Sequence, residues 1–412
     1  MEVNEVKKES ELQPSYYDRL LKKEWSYTTG AVMVSAFAMA LFAFSGIWGV
    51  SGPLATWGGK FLTLLGINAD SWSIYNGSLA KYQFFGNKAS ITDIGLLMGA
   101  LIACLLAAQW KIRNIKHWKQ AAAAALGGLL MGVGAKMANG CNIGGLFSQL
   151  PQFSGAGWVF LLFVFLGATI GGRLLKFFMP PASNKRPNRK RLTAEQRKRN
   201  KTIQIAIGVA LSILCLAVAF IVAPKYPNAP AFILIGVGIG YSMQRSRFCF
   251  TAAYRDPTLT GETKLTKAVL VAFALCTIAF FGFHISSYGA DLSKLDPTKL
   301  PGNPINLSLL VGSFIFGIGA VLAGGCASGT FIRMGEGYVQ NLIAFVFFVT
   351  GSTIGSFVTG GLKGTFMTVG PKVYLPAVFG GFVPALLIQL AALMGLWILA
   401  DWWEKRKHAM VH

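Results

Sequence analysis

The chain has 412 residues, of which 53% are hydrophobic and 13% charged, and its mean hydropathy is +0.52. A soluble domain carries about a quarter charged residues, so a disordered chain, a collagen-like repeat and an ordinary cytosolic enzyme are excluded. The net charge of +22 arises from 38 Lys and Arg against 16 Asp and Glu, a balance found in nucleic-acid binders and in membrane proteins with basic cytoplasmic loops.

Some 26 mostly polar residues come first. A secretory signal begins its apolar stretch sooner, so the first apolar block is expected to stay in the chain as a helix. Blocks follow at 27–50, 91–110, 120–139, 157–179, 204–224, 230–247, 267–284, 306–325, 338–360 and 376–400. Such lengths suit a hydrocarbon core of about 30 Å at about 1.5 Å per residue. The pattern predicts an all-α polytopic membrane protein of about ten transmembrane helices, without the alternation of an outer-membrane barrel. The expected division is a cytoplasmic tail 1–26, a first membrane repeat 27–224 that includes a basic linker 180–203, a second repeat 230–403 and a tail 404–412. With the N-terminus inside, 29 Lys and Arg fall on inside segments, 8 on outside loops and Lys136 at membrane depth. That bias predicts cytoplasmic termini. It also accounts for the charge without nucleic acid. The run KRPNRKRLTAEQRKRNK (185–201) reads as a topology anchor touching anionic lipid.

A self-match at an offset of 185 residues is the most informative pattern. GGLLMGVGAKMANGCNIGG from Gly127 and GSFIFGIGAVLAGGCASGT from Gly312 share eight of 19 positions, including Gly140/Gly325, Cys141/Cys326 and Gly144/Gly329. Chance gives about one or two at average usage. On the expected topology the two copies are upside down relative to each other, as five spans per repeat require. Inverted repeats with a site near their shared axis are characteristic of secondary transporters.

Each of these cysteines sits where a glycine-rich helix stops. Asn139-Gly140 and Gly324-Gly325 precede the thiols, and Gly144-Gly145 and Gly329 follow. Non-helical backbone at membrane depth needs protein or a wet cavity around it, so the pattern predicts two re-entrant elements, with short helices resuming near Ile143 and Ser328. Their amides favour an anion, with Ser328 and Asn142 as side-chain donors. The other G-x-x-x-G runs, among them those at Gly95 and in GVGIG, read as close helix packing. Cys249 lies in YSMQRSRFCFTAAYRD, flanked by Arg245, Arg247 and Arg255, cations that favour a thiolate. The first half offers only CLLAAQWKIR in loose alignment, without a matching cysteine. Cys104, Cys215 and Cys276 stand in apolar runs, where Cys behaves as a small hydrophobe. Near membrane depth, Lys136 and Arg333 are functional candidates. Glu336 is expected to pair with Arg333, and Asp93 to lie at the rim of its span. No C-x-x-C pair and no histidine near the thiols supports a resident metal, and no cofactor is expected.

At these residues the chain resembles the YeeE/YedE family of sulfur-transport membrane proteins, and most closely its YedE branch. The resemblance rests on NGCNIGGLFSQLPQFSGAGW, RSRFCFTAAYRD with TGETKLTKA after it, GGCASGTFIRMGEGYVQ and the tail WWEKRK, and it spans about 45–403. It implies uptake of thiosulfate or a related sulfur or selenium species along a cysteine-lined path, with Cys141, Cys249 and Cys326 at the family's cysteine positions. It also implies a small soluble sulfur-carrier partner in the cytoplasm. The single arginine–cysteine motif departs from a symmetric relay.

The chemistry agrees. A sulfur oxyanion has hard oxygens for amides, hydroxyls and cations and a soft sulfur for thiols, which could also exchange sulfur covalently. The sequence therefore predicts a transporter, not an enzyme, that binds a small anion through Cys141, Cys249, Cys326, Asn142, Gly140, Gly144, Gly325, Ser328, Gly329, Lys136, Arg247 and Arg333. The rivals are a soft-metal transporter, a membrane protein that handles persulfide without transport, and a scaffold acting through the basic linker.

Overall fold

Why the helices stop where they do explains the architecture. In the computed structural model, which describes residues 17, 21–45, 47–72, 75–178, 193–288 and 301–409, the described chain is helical apart from turns and isolated bridges. The first half contains α1 (Tyr27–Ser45), α2 (Ser51–Leu64), α3 (Lys88–Leu106), α4 (Trp118–Met137), a π-helical turn at Asn142–Phe147, α5 (Gly155–Phe178) and α6 (Ala194–Val222). The second contains α7 (Ala229–Ser246), α8 (Phe250–Leu259), α9 (Lys264–Tyr288), α10 (Leu307–Ala323), α11 (Ala327–Gly335), α12 (Val339–Gly361), the short α13 (Leu375–Val378) and α14 (Phe382–Ala409).

Among the described residues nine helices are long and apolar enough to cross a membrane. The tenth expected span, 230–247, is α7, whose last turn carries Gln244 and Arg245 and is too polar to count with them. Three other expectations need correction. The block 27–50 is not one helix: α1 ends at Ser45 and a new helix starts at Ser51, because Gly49, Gly52 and Pro53 weaken helix between them and Pro suits a first turn. The linker ends sooner than 203. Thr193 and Gln196 form a capping box, so the basic residues from 194 onward are the first turns of α6; the part of the linker at 180–192 lies outside the described residues. At the C-terminus, 404–409 of the expected tail 404–412 continue α14 as helix.

Close backbone contact sets the helix directions. Gly127 of α4 faces Gly319 and Ala323 of α10, while Gly134 faces Gly312 and Phe316, so the two helices run antiparallel. Alpha-1 and α7 also run antiparallel, with Gly30 against Ser246 and Phe37 against Gly238. By contrast α4 runs parallel to α12, with Gly128 against Ala344 and Gly132 against Ser352, and its counterpart α10 runs parallel to α5, with Gly167 against Phe314 and Gly171 against Ile318. Gly95 and Gly99 of α3 meet Gly236 and Val237 of α7 backbone to backbone, the close packing expected of G-x-x-x-G runs. The self-matching helices α4 and α10 thus cross antiparallel, each with a parallel neighbour.

At the cytoplasm-facing end of the expected topology, the TGETKLTKA run and the WWEKRK run meet. Lys267 of TGETKLTKA pairs with Asp401 at 2.7 Å and with Glu404 at 2.8 Å, and Thr263 donates to Glu404 at 2.8 Å. The Trp403 indole donates to the Pro257 carbonyl at 2.8 Å. This clamp ties α14 to the turn between α8 and α9.

Candidate functional site

One local design is used three times. A helix ends on a residue with left-handed backbone: Asn139 (φ +54°), Gly324 (φ +78°) and Arg247 (φ +55°). The next amide reaches back five residues, from Gly140 to the Ala135 carbonyl at 2.8 Å, from Gly325 to Ala320 at 3.0 Å and from Phe248 to Met243 at 3.1 Å. This closes the helix end by satisfying a free carbonyl. A cysteine in extended conformation follows: Cys141, Cys326 and Cys249 are the N-caps of the π-helical turn, α11 and α8. Each cysteine carbonyl then accepts the amide four residues on, from Gly145 at 2.6 Å, Thr330 at 2.7 Å and Ala253 at 3.2 Å. Helix therefore resumes at Asn142 and Ala327, a residue before the expected points.

The three thiols come together. Cys141 and Cys326 are buried and Cys249 is partly buried. A Cβ placed on Gly329 would stand 3.7 Å from the sulfurs of both Cys249 and Cys326, so these two flank one bare stretch of backbone. The Cys326 thiol lies 3.4 Å from the Ser328 hydroxyl and within electrostatic reach of Cys249 and Cys141. Asn142 is buried with neither amide atom hydrogen-bonded. Gly140 packs on the backbone of Gly145, leaving no space for a side chain. Gly144 faces Gly49 and the Trp48 carbonyl, and Ser148 donates to that carbonyl at 2.7 Å. The break at 47–50 thus faces Gly144 as the Cys249 break faces Gly329, a place the expected 104–113 stretch does not take, and it carries no thiol. Trp48, Phe147, Phe250 and Phe248 form an aromatic chain between the breaks, with ring centroids 6.1, 5.3 and 5.3 Å apart.

The charged candidates lie further out. Arg247 binds Glu24 at 3.0 Å and Glu336 at 3.1 Å, and Glu336 also accepts from Gln244 at 3.1 Å. Glu336 thus pairs with Arg247, not with Arg333. Arg333 instead stacks on the Tyr338 ring, seven residues and about 10 Å of helix from Cys326. Arg245 is committed to the carbonyls of Lys22 and Lys23, and Arg255 to Asp256. The three arginines flanking Cys249 in sequence are thus engaged with other partners, a consequence of pairing that linear proximity does not reveal. Lys136 is partly buried, within electrostatic reach of Cys141 and without a carboxylate partner. Asp93 is not at a rim: it is fully buried on α3, neither oxygen is hydrogen-bonded, and it too lies within reach of Cys141.

Several residues near the thiols escape sequence reasoning. Thr251, Tyr254 and Thr330 are buried with hydroxyls that have no partner. They stand two and five residues after Cys249 and four after Cys326. Amphipathic helix lining would have been the only signal. Among the described residues no group of three or more His, Cys, Asp and Glu side chains is set to hold a metal ion.

A multi-pass helical bundle with three broken, thiol-bearing elements converging in its interior is the build of a membrane transporter, not of an enzyme. The family model described as sulphur transport matches residues 2–170 and 245–412, in two parts, and the chain belongs to that family. It is 29% identical over 396 residues to the protein named probable transporter YedE of Escherichia coli (strain K12), covering 94% of each chain. It is 33% identical over 182 residues to the thiosulfate transporter TsuA of Spirochaeta thermophila, covering 40% of this chain and 52% of that one. A similar partial match joins it to the thiosulfate transporter TsuA of Escherichia coli, at 34% over 122 residues, 30% of this chain and 32% of that one.

Proposed function

We propose that the protein carries a small sulfur-containing anion, thiosulfate or a related sulfur or selenium species, inward across a bacterial inner membrane. The observation that carries this reading is the convergence of Cys141, Cys326 and Cys249, each at the start of a short helix, with Cys326 and Cys249 flanking Gly329. The partial relatives named thiosulfate transporters support the cargo.

In this reading the two halves are inverted repeats, with both termini cytoplasmic. The antiparallel crossings of α4 with α10 and α1 with α7 support the inversion, and the distribution of Lys and Arg supports the orientation. Cys141 then sits on an element entering from outside, and Cys326 and Cys249 on elements entering from the cytoplasm. The cargo's terminal sulfur contacts the polarizable thiols in turn. Its oxygens meet Asn142, Ser328 and the backbone at Gly144 and Gly329, reached past the side-chain-free Gly140 and Gly325, while Lys136 supplies positive potential beside Cys141. Several weak sites in series allow passage without a trap. Arg247 and Arg333 act at the inner mouth, where a small sulfur-carrier protein collects the product, and the basic run at 185–201 touches anionic lipid.

Uptake of labelled thiosulfate by cells lacking other sulfate and thiosulfate importers tests the reading. The wild-type chain supports uptake, and Cys141→Ala and Cys326→Ala abolish it at normal membrane levels, whereas Cys215→Ala does not. Normal uptake by both of the first two variants removes the thiols from the route.

A further inference from the structure

Tyr254 lies in the RSRFCFTAAYRD run but is not among the predicted site residues. Its side chain is 4% exposed, and its hydroxyl has no hydrogen-bond partner. It is within electrostatic reach of Cys326, Cys249 and Cys141 together. Thr251 and Thr330, 2% and 0% exposed, present hydroxyls in the same condition, and Asn142 an amide. A buried hydroxyl left unpaired costs about 1–3 kcal/mol, and such groups in a native structure call for a missing partner. Here they gather within five residues of the three thiols.

We infer that Tyr254, with Thr251 and Thr330, forms a cage of neutral hydroxyl donors that holds the oxygens of the passing anion while its sulfur lies against Cys326 and Cys249. The inference rests on the sulfur-anion reading above and names the part of the chain that recognises the oxygen end of the cargo. Three features argue for it. The cationic groups are engaged elsewhere or lie apart: Arg247 with Glu24 and Glu336, Arg333 on Tyr338. A neutral donor on a rigid phenol ring gives direction without the deep well that a fixed cation makes, which conduction requires. The cage also belongs to one repeat alone. At the offset of 185, Thr330 corresponds to Gly145, and the fifth residue after the N-cap Val50 of α2 is Ala55, where the fifth after Cys249 is Tyr254. Selection of the oxygen end by hydroxyls is therefore placed in the second half, beside the paired thiols, whereas beside Cys141 the Asn142 amide faces the oxygens.

Tyr254→Phe separates this from a packing role. Phenylalanine fills the same volume and removes the unpaired hydroxyl, so a tyrosine that only packs predicts unchanged or higher thermal stability and unchanged uptake. The cage predicts equal or higher stability of the purified protein together with a roughly tenfold or greater rise in half-saturating thiosulfate, the loss of one hydrogen bond to a charged group. The assay is uptake of radiolabelled thiosulfate by proteoliposomes containing the full chain, with Thr330→Val and Thr251→Val measured alongside. Wild-type half-saturation in Tyr254→Phe and Thr330→Val overturns the cage while leaving the sulfur-anion reading intact. Should Tyr254→Phe not be recovered folded, the two threonine variants decide: raised half-saturation in either supports the cage, and wild-type values in both overturn it. If wild-type proteoliposomes take up no thiosulfate, the sulfur-anion reading falls and the cage falls with it.

Discussion

Gly329→Ala offers a sharp separation of stability from transport. Gly329 lies in the first turn of α11 with ordinary backbone angles, since it is not among the residues of positive φ. The added methyl would meet Cys249 and Cys326 sulfur at 3.7 Å each, which is van der Waals contact and no clash. Glycine in a helix is less favourable than alanine by roughly 0.5–1 kcal/mol, so the substitution leaves stability unchanged or raises it by up to about that amount. The same methyl occupies the space between the two thiols. At contact distance from both, it leaves no room there for a sulfur atom of the cargo. The expected result is a protein that unfolds in detergent at the wild-type temperature or above and takes up thiosulfate at a small fraction of the wild-type rate. Gly172→Ala is the control, because a Cβ there meets nothing within 4 Å, and it should change neither quantity. Wild-type uptake by Gly329→Ala would show that the cargo does not pass between Cys249 and Cys326, and the reasoning would fail.

Two further predictions concern the clamps around the site. Arg247→Gln leaves Glu336, whose side chain is 5% exposed, with only Gln244 as a side-chain partner. After allowance for the solvent-exposed arginine the cost is about 1–3 kcal/mol, whereas Glu24→Gln, at an exposed pair, costs about 0–1 kcal/mol; thermal unfolding of the two variants side by side checks the order, and equal midpoints would refute it. Lys267→Ala strips Asp401 and Glu404 of their shared cation, whereas Lys405→Ala removes only an exposed partner of Asp401. The first should lower the unfolding midpoint clearly more than the second, and the reverse order would show that the clamp between α14 and the α8–α9 turn is not what holds that end together.

What the sequence made legible was local. The helix stops at Asn139-Gly140 and Gly324-Gly325 are written in residues that tolerate left-handed backbone, and the thiol after each is adjacent in the chain, so the two breaks could be read directly. The split between α1 and α2 was not, because Gly46–Pro53 sits inside an unbroken apolar block with no charge to mark it. The partners of Arg247, Arg245 and Glu336 were misjudged for a different reason: they are 223, 223 and 89 positions away, and proximity along the chain favoured Arg333 and Cys249 instead. Asp93 was placed at a rim by its position near the start of α3, but the packing of Gly95 and Gly99 on α7 draws that turn into the bundle.

The two halves share their breaks but not their chemistry, and this difference bears on direction. Backbone geometry is duplicated closely: Asn139 and Gly324, Gly140 and Gly325, and Cys141 and Cys326 occupy equivalent positions with matching hydrogen bonds. Side chains are not. Beside Cys326 the second half sets Cys249, Ser328, Thr330 and Tyr254, whereas beside Cys141 the first sets Asn142, Ile143 and Gly145, with Gly49 facing Gly144. The first half instead sets one cation, Lys136, and the buried carboxyl of Asp93 within electrostatic reach of Cys141. On the reading proposed above, an anion entering from the Cys141 side meets the Lys136 cation before it meets the neutral hydroxyls and the paired thiols. Long-range attraction would then act first, where the cargo must be drawn from water, and short-range recognition second, where binding must stay weak enough for release. On that reading the matching breaks provide two entrances, and the unequal side chains make them unlike.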